Sequence, residues 1–438
     1  MKIPKTPELW YKACKIIPGG NGLISKRPTR FSPDFWPTYY KKASGINIQA
    51  INNKWYKDMS VMGLGTNILG YSNNYVNQMV KKSVDQSPNT TLNCVEEYLL
   101  AKELLKIDKF ADQVRFARSG GEALAMSVRI ARAKTEKDTI AFSGYHGWHD
   151  WYLSTNIKNK KNLNEHLLAG LEPLGVPKGL AGSAIPFKYN SITEFKKTVK
   201  KNPNLAAIVI EGCRFSYPSK KFVNTINNYC KRKGICLIVD EITSGWRETI
   251  GGIYNKVGFK PDIVVYGKGI GNGFAISAIV GKKKFMETAN MTFMSSTSWT
   301  EKIGFVAALS TIKFFKKKKV HLHIKKIGKK FFKIWLRCAK KNNLDLTISE
   351  FAPLASFNIN YKNKNEIYTL FTQLMLSKGY IAGNSIYVSY SHKNIDLLDY
   401  EKKCNEVFKI IKKFINNEDK IIKVKGRMKT DGFSRLTK

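Results

Sequence analysis

Five short, mainly apolar runs, separated by segments of helical character, constrain the fold of this chain more than any other feature. The runs lie at residues 113–117, 139–142, 206–210, 236–239 and 263–266. A strand that is apolar at nearly every position is buried on both faces, which is typical of a parallel sheet covered by helices. The alternation therefore predicts an α/β fold with a mainly parallel sheet.

The rest of the 438-residue chain lies on either side of this pattern. The start of the chain is rich in proline and aromatic residues, and Ile46–Asp58 alternates like a hairpin with an Asn-Asn turn. The last part mixes basic amphipathic helices with weaker strands, which is typical of a smaller α+β lobe. We predict an N-terminal segment (1–60), a large ligand-binding domain (61–310) and a C-terminal small domain (311–438).

The formal net charge of +41 raises nucleic acid and membrane surfaces as possible partners. However, the lysines are spread along the whole chain, often beside Asn and Ile, and do not form one patch. Lysines on a solvated surface explain this spread, so we expect no nucleic-acid partner. No apolar run approaches the roughly 18 residues of a membrane-spanning helix, and no signal-peptide core is present at the start. We expect no membrane partner and a cytoplasmic location.

The cysteines and histidines indicate neither disulfides nor a metal site. The seven cysteines are scattered, odd in number and never spaced as CxxC. His146 and His149 form an HxxH pair, but no Glu or Cys stands at a suitable spacing to complete a metal site. We therefore expect no bound metal.

Three polar segments directly follow predicted strands, at the edge where ligands bind in open α/β sheets. Ser119-Gly120-Gly121 leads into a helix, and its N–H groups suit a phosphate, although a simple helix cap is the alternative. Asp240 ends an apolar strand, where a carboxylate is costly to bury without a cationic partner. Lys268 stands between glycines after another strand, either as a solvated turn residue or as a nucleophile.

Together, a phosphate cradle, a buried carboxylate and a strand-end lysine are the groups that pyridoxal 5'-phosphate (PLP) requires. The carboxylate would keep the ring nitrogen protonated, so that the ring accepts electrons from the substrate carbon. The lysine would form a Schiff base and, once freed, move a proton. The combination predicts a PLP enzyme that acts on amino groups.

The same segments resemble the class III aminotransferases of PLP fold type I, and within them the glutamate-1-semialdehyde aminomutase branch. The resemblance covers nearly the whole chain. It lies in Ile17-Pro18-Gly19-Gly20, SGGEALAMSVRIARA (119–133), GYHGWHD (144–150), IVDEITSGWR (238–247) and GKGIGNG (267–273). The spacing between Asp240 and Lys268 is also that expected of the family. The resemblance implies the fold type I architecture, with a large and a small domain.

The resemblance implies roles for the residues around the cofactor ring. Lys268 would form the Schiff base with the cofactor aldehyde, and Asp240 would bind the pyridine nitrogen. Tyr145 would stack on one face of the ring. Ile242, where the family commonly has Val, would cover the other face. His146 would form part of the cofactor wall.

The resemblance also implies how the phosphate is held. Ser119, Gly120 and Gly121 would bind it, although the family usually has Thr at the position of Gly121, so that one hydroxyl contact is missing. Glu211 would help to shape the site. Thr297 matches a threonine that reaches the phosphate of the neighbouring subunit, which implies a homodimer.

The substrate side departs from the aminomutase pattern. Leu64 stands at the position of an aromatic wall residue, and residues 212–214 lack the Pro and Asn that the family has in this region. The substrate carboxylate would bind Arg27, or Lys26 in its place. Arg214 also suits an anionic group, because guanidinium groups bind carboxylate and phosphate well.

We therefore predict an aminotransferase that passes an amino group from an amino acid, with glutamate as the expected donor, to a carbonyl acceptor such as a carbohydrate derivative. One alternative is glutamate-1-semialdehyde 2,1-aminomutase, in which the amino group moves within one molecule. Racemisation and elimination are further alternatives, because a PLP enzyme would use the same cofactor residues for these reactions. A non-catalytic, basic nucleic-acid-binding protein would need Lys268 or Asp240 to be lost, and both are present.

Overall fold

The computed structural model describes residues 6–418 and 421–431. Its strands are β1 Tyr40–Ser44, β2 Asn47–Ala50, β3 Trp55–Met59, β4 Gln113–Ala117, β5 Thr139–Ser143, β6 Ala184–Pro186, β7 Leu205–Glu211, β8 Cys236–Asp240, β9 Ile263–Tyr266, β10 Ser277–Gly281, β11 Leu346–Ile348, β12 Leu354–Ile359, β13 Tyr380–Ala382 and β14 Ser385–Tyr387. The helices of ten or more residues are α1 Thr6–Ile16, α2 Asn74–Asp85, α3 Val95–Ile107, α4 Gly120–Thr135, α5 Ile192–Lys201, α6 Lys220–Lys233, α7 Lys302–Lys317, α8 Val320–Lys341, α9 Lys364–Ser377 and α10 Asn394–Ile415.

The chain forms two compact units. One contains the residues up to Asn73 together with Leu322–Asp431, and the other contains Asn74–His321. The first unit is therefore built from both ends of the described chain. The division into segments 1–60, 61–310 and 311–438 stays a prediction.

The unit Asn74–His321 is built around a seven-stranded sheet in the order β4-β10-β9-β8-β7-β5-β6. Only β10 runs antiparallel to its neighbours, and the remaining pairs are parallel. Every residue of β7, β8, β9 and β10 is buried, as expected for strands covered on both faces. Helix α4 lies against β7, β9 and β10, and α6 lies against β8. The predicted α/β fold is confirmed, and the sheet has two further strands, β6 at one edge and β10 between β4 and β9.

The other unit contains two smaller sheets, in the orders β1-β2-β3-β13 and β11-β12-β14. The predicted hairpin is present as β2 and β3, with Asn53 at a φ of 69° in the turn. Strand β13 pairs in parallel with β3, so the N-terminal hairpin and the C-terminal lobe share one sheet. In the core of this unit the ring of Phe357 contacts those of Trp335 and Phe371.

The two longest helices, α8 and α10, each span 22 residues. Helix α10 buries one face, formed by Leu397, Tyr400, Cys404, Val407, Phe408 and Ile411. These positions recur three or four residues apart, which is the spacing of an amphipathic helix. In the described parts of the chain, no helix is both long and apolar enough to cross a membrane.

Candidate active site

Five strand ends bring predicted site residues to one edge of the seven-stranded sheet. Strands β5, β7, β8 and β9 run parallel, and their register places Glu211 beside Asp240 at adjacent strand ends. Strands β4 and β9 both pair antiparallel with β10, so they run in the same direction. Their last residues, Ala117 and Tyr266, lie opposite neighbouring residues of β10. The segments that follow all five strands therefore begin at the same edge.

Asp240, at the end of β8, is oriented by the main chain and by a histidine. Its Oδ1 accepts the N–H of Ile242 at 2.9 Å, and its Oδ2 lies 2.8 Å from Nδ1 of His146. The other ring nitrogen of His146 lies 3.3 Å from the carbonyl oxygen of Ser143. Both side chains are buried. Contacts to both oxygens fix the carboxylate in one orientation, as expected of a preorganised site.

Lys268 opens a short turn, Lys268–Gly271, directly after β9. Its φ of 46° lies in the left-handed region, which residues with a side chain rarely adopt. Such strained backbone is concentrated at functional sites, because the surrounding structure must hold it in place. The Nζ of Lys268 donates to Oγ1 of Thr243 at 2.7 Å. The lysine is thus tied to the segment that follows Asp240.

The Ser119-Gly120-Gly121 segment caps and begins helix α4. The Oγ of Ser119 accepts the N–H of Glu122 at 3.3 Å, and the carboxylate of Glu122 accepts the N–H of Ser119 at 2.7 Å. The N–H groups of Gly120 and Gly121 belong to the first turn and have no acceptor within the helix. They point out of the positive end of the helix dipole, which is the arrangement that binds anions.

Ile242 lies between the start of α4 and the segment of Lys268. A Cβ at Gly120 would come within 2.6 Å of the Ile242 side chain, and a Cβ at Gly267 would come within 3.3 Å of it. The two glycines therefore allow Ile242 to approach both segments. The residues predicted for the phosphate, the ring face and the aldehyde converge here, and their chemistry fits PLP.

Next to this edge, the side chains of Tyr145, Glu211 and Arg214 form a group that we call the Glu211 corner. The Nε of Arg214 donates to both carboxylate oxygens of Glu211, at 2.9 and 3.0 Å, and its Nη2 also donates to Glu211. The main-chain N–H of Tyr145 donates to Glu211 at 3.3 Å. Burial alone would raise the pKa of Glu211, but the charge and hydrogen bonds of Arg214 outweigh it and hold the pKa below its usual value. Glu211 therefore stays ionised.

A cavity of about 360 Å³ opens against the Glu211 corner. Lys188 and Tyr189 line it together with the residues of the corner. His166 also lines it, and burial lowers the pKa of His166 to about 4, so this imidazole is neutral at physiological pH. Its wall carries two cations, Arg214 and Lys188, and each is paired with a carboxylate that also lines the cavity, Glu211 and Glu165, so the cavity suits a small polar molecule.

Three of the predicted residues belong to other segments of the chain. Thr297 is exposed on the short turn Thr297–Thr300. Lys26 and Arg27 belong to the other compact unit, where Lys26 ends a short turn and Arg27 follows it. The guanidinium of Arg27 lies so close to Gly19 that a Cβ there would be 2.0 Å from it.

Sequence reasoning missed Thr243. Its hydroxyl accepts a hydrogen bond from Nζ of Lys268 at 2.7 Å and another from Nη2 of Arg214 at 3.3 Å, so it joins the lysine to the Glu211 corner. The one signal in the sequence is its place three residues after Asp240, within a segment already assigned to the site.

Comparison with solved structures identifies the fold. The chain is similar to an omega-transaminase from Sphaerobacter thermophilus, with a TM-score of 0.82 and 20% identity over 92% of this chain and 97% of that one. It is also similar to a glutamate-1-semialdehyde aminomutase from Pseudomonas aeruginosa PAO1 in complex with PMP, with a TM-score of 0.78 and 14% identity over 92% and 93% of the two chains. The fold is that of the PLP-dependent transferases of fold type I, as predicted.

Sequence comparison identifies the family. The family model described as "Aminotransferase class-III" matches residues 32–416. The 3-aminobutyryl-CoA aminotransferase of Cloacimonas acidaminovorans is 26% identical, over 95% of this chain and 99% of that protein. The glutamate-1-semialdehyde 2,1-aminomutase of Nitrosopumilus maritimus is 31% identical, over 73% of this chain and 74% of that protein. The chain belongs to the class III aminotransferase family, and it is a PLP-dependent enzyme.

Proposed function

We propose that this enzyme takes an amino group from an amino acid, with glutamate as the donor, and passes it to a separate carbonyl compound derived from a carbohydrate. The observation that supports a PLP site most strongly is the convergence of Ser119, Asp240 and Lys268 at one sheet edge, with Ile242 between the start of α4 and Gly267. Each of these residues has a chemical counterpart on PLP.

When bound, PLP supplies an electron-withdrawing ring that stabilises negative charge on the carbon next to the transferred amino group. The Oγ of Ser119 and the N–H groups of Gly120 and Gly121 would hold its phosphate at the start of α4. The carboxylate of Asp240 would hold the protonated ring nitrogen, because a buried carboxylate and an N–H cation form a strong hydrogen bond. Contact with His146 keeps that carboxylate in one orientation.

Lys268 would bind the aldehyde carbon through Nζ. Once free, the same Nζ would act as the base that takes and holds the proton of the substrate carbon. The hydroxyl of Thr243, 2.7 Å from Nζ, restricts where the amine points. Tyr145 and Ile242 would cover the two faces of the ring and exclude water from it.

The substrate would enter beside the Glu211 corner. The cavity there has side chains of both charges in its wall. Arg214 would bind an anionic group of the donor or acceptor by exchanging its contact with Glu211 for one with the substrate. We also keep Lys26 and Arg27 as candidates for binding the substrate carboxylate. The altered positions Leu64 and Arg214 support a substrate different from that of the aminomutase.

Glutamate-1-semialdehyde 2,1-aminomutase is the second candidate function, because relatives with this name reach 31% identity to the chain. In that reaction one molecule would enter and leave with its amino group moved, without a separate donor.

Incubation of the PLP form with single amino acids tests the proposal. We expect one amino acid, glutamate, to convert the enzyme to its pyridoxamine form with release of a 2-oxo acid, and a carbonyl compound to restore the PLP form. Parallel lines in double-reciprocal plots would accompany these two half-reactions. Efficient turnover of glutamate-1-semialdehyde without any donor would favour the aminomutase instead.

We further propose a homodimer in the cytoplasm. Thr297 would reach the phosphate of the partner subunit, and the nearby Phe293 is 88% exposed. Leu92 and Val95, at 80% and 60%, are also exposed, and large exposed apolar side chains are typical of protein interfaces. Sedimentation should give twice the mass of the chain. All seven cysteines are free thiols, which suits a reducing compartment.

A further inference from the structure

The imidazole of His149 lies directly against the start of helix α4. A Cβ at Gly121 would come within 2.9 Å of its Cε1 and 3.0 Å of its Nδ1. Gly121 belongs to the first turn of an α-helix, a conformation that any residue adopts, so the backbone does not require glycine there. What the missing side chain provides is room for the imidazole.

The position of the His149 ring is set by its neighbours. Trp148 lies against it, with ring centroids 4.4 Å apart and planes at 30°. A Cβ at Gly147, whose φ is 102°, would come within 3.2 Å of the Cα of Gly121. The loop that carries His149 is therefore in close contact with the same helix start that offers the N–H groups of Gly120 and Gly121.

The Nδ1 atom of His149 is buried and has no hydrogen-bond partner in the described parts of the chain. A buried ring nitrogen without a partner costs roughly 1–3 kcal/mol, so such an atom is expected to find one in the working enzyme. Burial lowers the pKa of His149, so the ring is neutral at physiological pH and carries one N–H. In the tautomer protonated at Nδ1, that N–H would donate toward an anion at the start of α4.

We propose that Nδ1 of His149 binds the phosphate group of the cofactor and supplies the side-chain contact that Gly121 itself lacks. The proposal rests on the PLP site described above. The loop that follows β5 would then add a side-chain ligand to the main-chain donors of α4. The proposal also explains why position 121 is a glycine. His149 is then a phosphate ligand, and its HxxH spacing with His146 has no metal-binding meaning.

The affinity of the apoenzyme for PLP, compared with its affinity for pyridoxal, tests the proposal. Both compounds offer the same aldehyde to Lys268, so the ratio of their dissociation constants reports on the phosphate alone. We expect His149→Ala to weaken PLP binding roughly 10- to 100-fold, the value of one hydrogen bond to a charged group, and to leave pyridoxal binding unchanged. Binding is followed by absorbance, without any measurement of turnover.

His321→Ala is the matched control. The Nδ1 of His321 is also buried without a partner in the described parts of the chain, and its ring stacks on Phe315, with centroids 5.8 Å apart. Its removal should leave the ratio of PLP to pyridoxal affinity as in the wild type. If His149→Ala does not fold by circular dichroism, His149→Leu keeps the volume without a donor and should show the same loss.

A second substitution, Gly121→Thr, should change the affinity for PLP in opposite directions in the wild type and in His149→Ala. Gly121→Thr alone should weaken PLP binding, because the new Cβ would overlap the imidazole. Added to His149→Ala, the same threonine should strengthen PLP binding, because the ring is gone and a hydroxyl takes its place near the phosphate.

Equal weakening of PLP and pyridoxal by His149→Ala, or no change in either, would overturn the proposal and leave His149 as a packing residue. In that case, PLP binding by the wild type would still uphold the proposed cofactor site. A wild-type chain that does not bind PLP would overturn both.

Discussion

The cofactor edge, formed by Ser119, Asp240 and Lys268 with their neighbours, and the Glu211 corner hold buried charge in different ways. At the edge, Asp240 is oriented by a main-chain N–H and a histidine, and Lys268 donates to a threonine hydroxyl. At the corner, Glu211 is matched by the full charge of Arg214. The edge therefore orients groups that a cofactor would use, whereas the corner is satisfied by its own residues and shapes the wall beside them.

Glu241, the residue after Asp240, gives a third case. It is fully buried, accepts the hydroxyl of Ser244 at 2.6 Å and the N–H of Tyr254 at 2.6 Å, and lies against Gly212 next to the corner. Burial raises its pKa to about 8, since hydrogen bonds from neutral groups compensate only part of the lost hydration. Glu211, which faces a cation, therefore stays charged, whereas Glu241, which faces neutral donors, keeps its proton at pH 7.

The largest expected effect is at the cofactor edge. Lys268→Ala should reduce turnover by a factor of about 10³ or more, because the group proposed to move the proton is gone. Stopped-flow measurement of the half-reaction with glutamate checks the rate. In the wild type, borohydride reduction followed by peptide mass spectrometry should label Lys268, and a label on another lysine would contradict the assignment.

Asp240→Asn should keep the fold and slow proton removal by roughly 10²-fold, since a neutral amide no longer holds the charge on the ring nitrogen. Single-turnover rates and circular dichroism are the measurements. Ile242→Val, a small change on the same segment, is the control and should stay near the wild-type rate. Wild-type activity in Asp240→Asn would refute the role of this carboxylate.

At the corner we expect a loss of stability without loss of the cofactor. Arg214→Met removes the cation from Glu211 and should lower the free energy of unfolding by about 2 kcal/mol at pH 7, while PLP binding persists. Arg214 lowers the pKa of Glu211 in the folded protein. The ion pair therefore stabilises the fold fully at pH values above the pKa of Glu211 in the unfolded chain, and this stabilisation is lost as the pH falls through the lower pKa of Glu211 in the folded protein. Urea unfolding at several pH values measures this. The double variant Arg214→Met/Glu211→Gln should recover part of the loss, and a larger loss in the double variant would show that the pair is not the cause.

The smallest effect concerns Glu241. Its folded pKa of about 8 lies above its ordinary 4.5, so the folded protein holds a proton that the unfolded chain has released. Stability should therefore fall as the pH rises from about 5 to 8, and Glu241→Gln should remove about 1 kcal/mol of this decline between pH 6 and 7. Identical slopes for wild type and variant in urea unfolding would mean that Glu241 does not hold this proton.

The sequence alone determined the layers of the large unit and which of the candidate residues lie at one edge of its sheet. Strands β5, β7, β8 and β9 were predictable because strands buried on both faces must be apolar at nearly every position, and β4 was predictable from its mainly apolar run. Ser119, Asp240 and Lys268 were predictable because each directly follows such a strand, and parallel strands end at one edge. The β2–β3 hairpin followed from local alternation and its Asn-Asn turn.

The tertiary structure decided what depends on distant segments meeting. No local sequence pattern predicts three of the features: the antiparallel β10, the pairing of β13 with β3 and the hydrogen bond from Lys268 to Thr243. Each depends on segments that only the fold brings together. The same holds for the contact of His149 with Gly121. This contact explains why a glycine stands at a position whose helical conformation does not require one. Local periodicity specifies which face of an element is buried, but only packing specifies which side chain fills the space beside it.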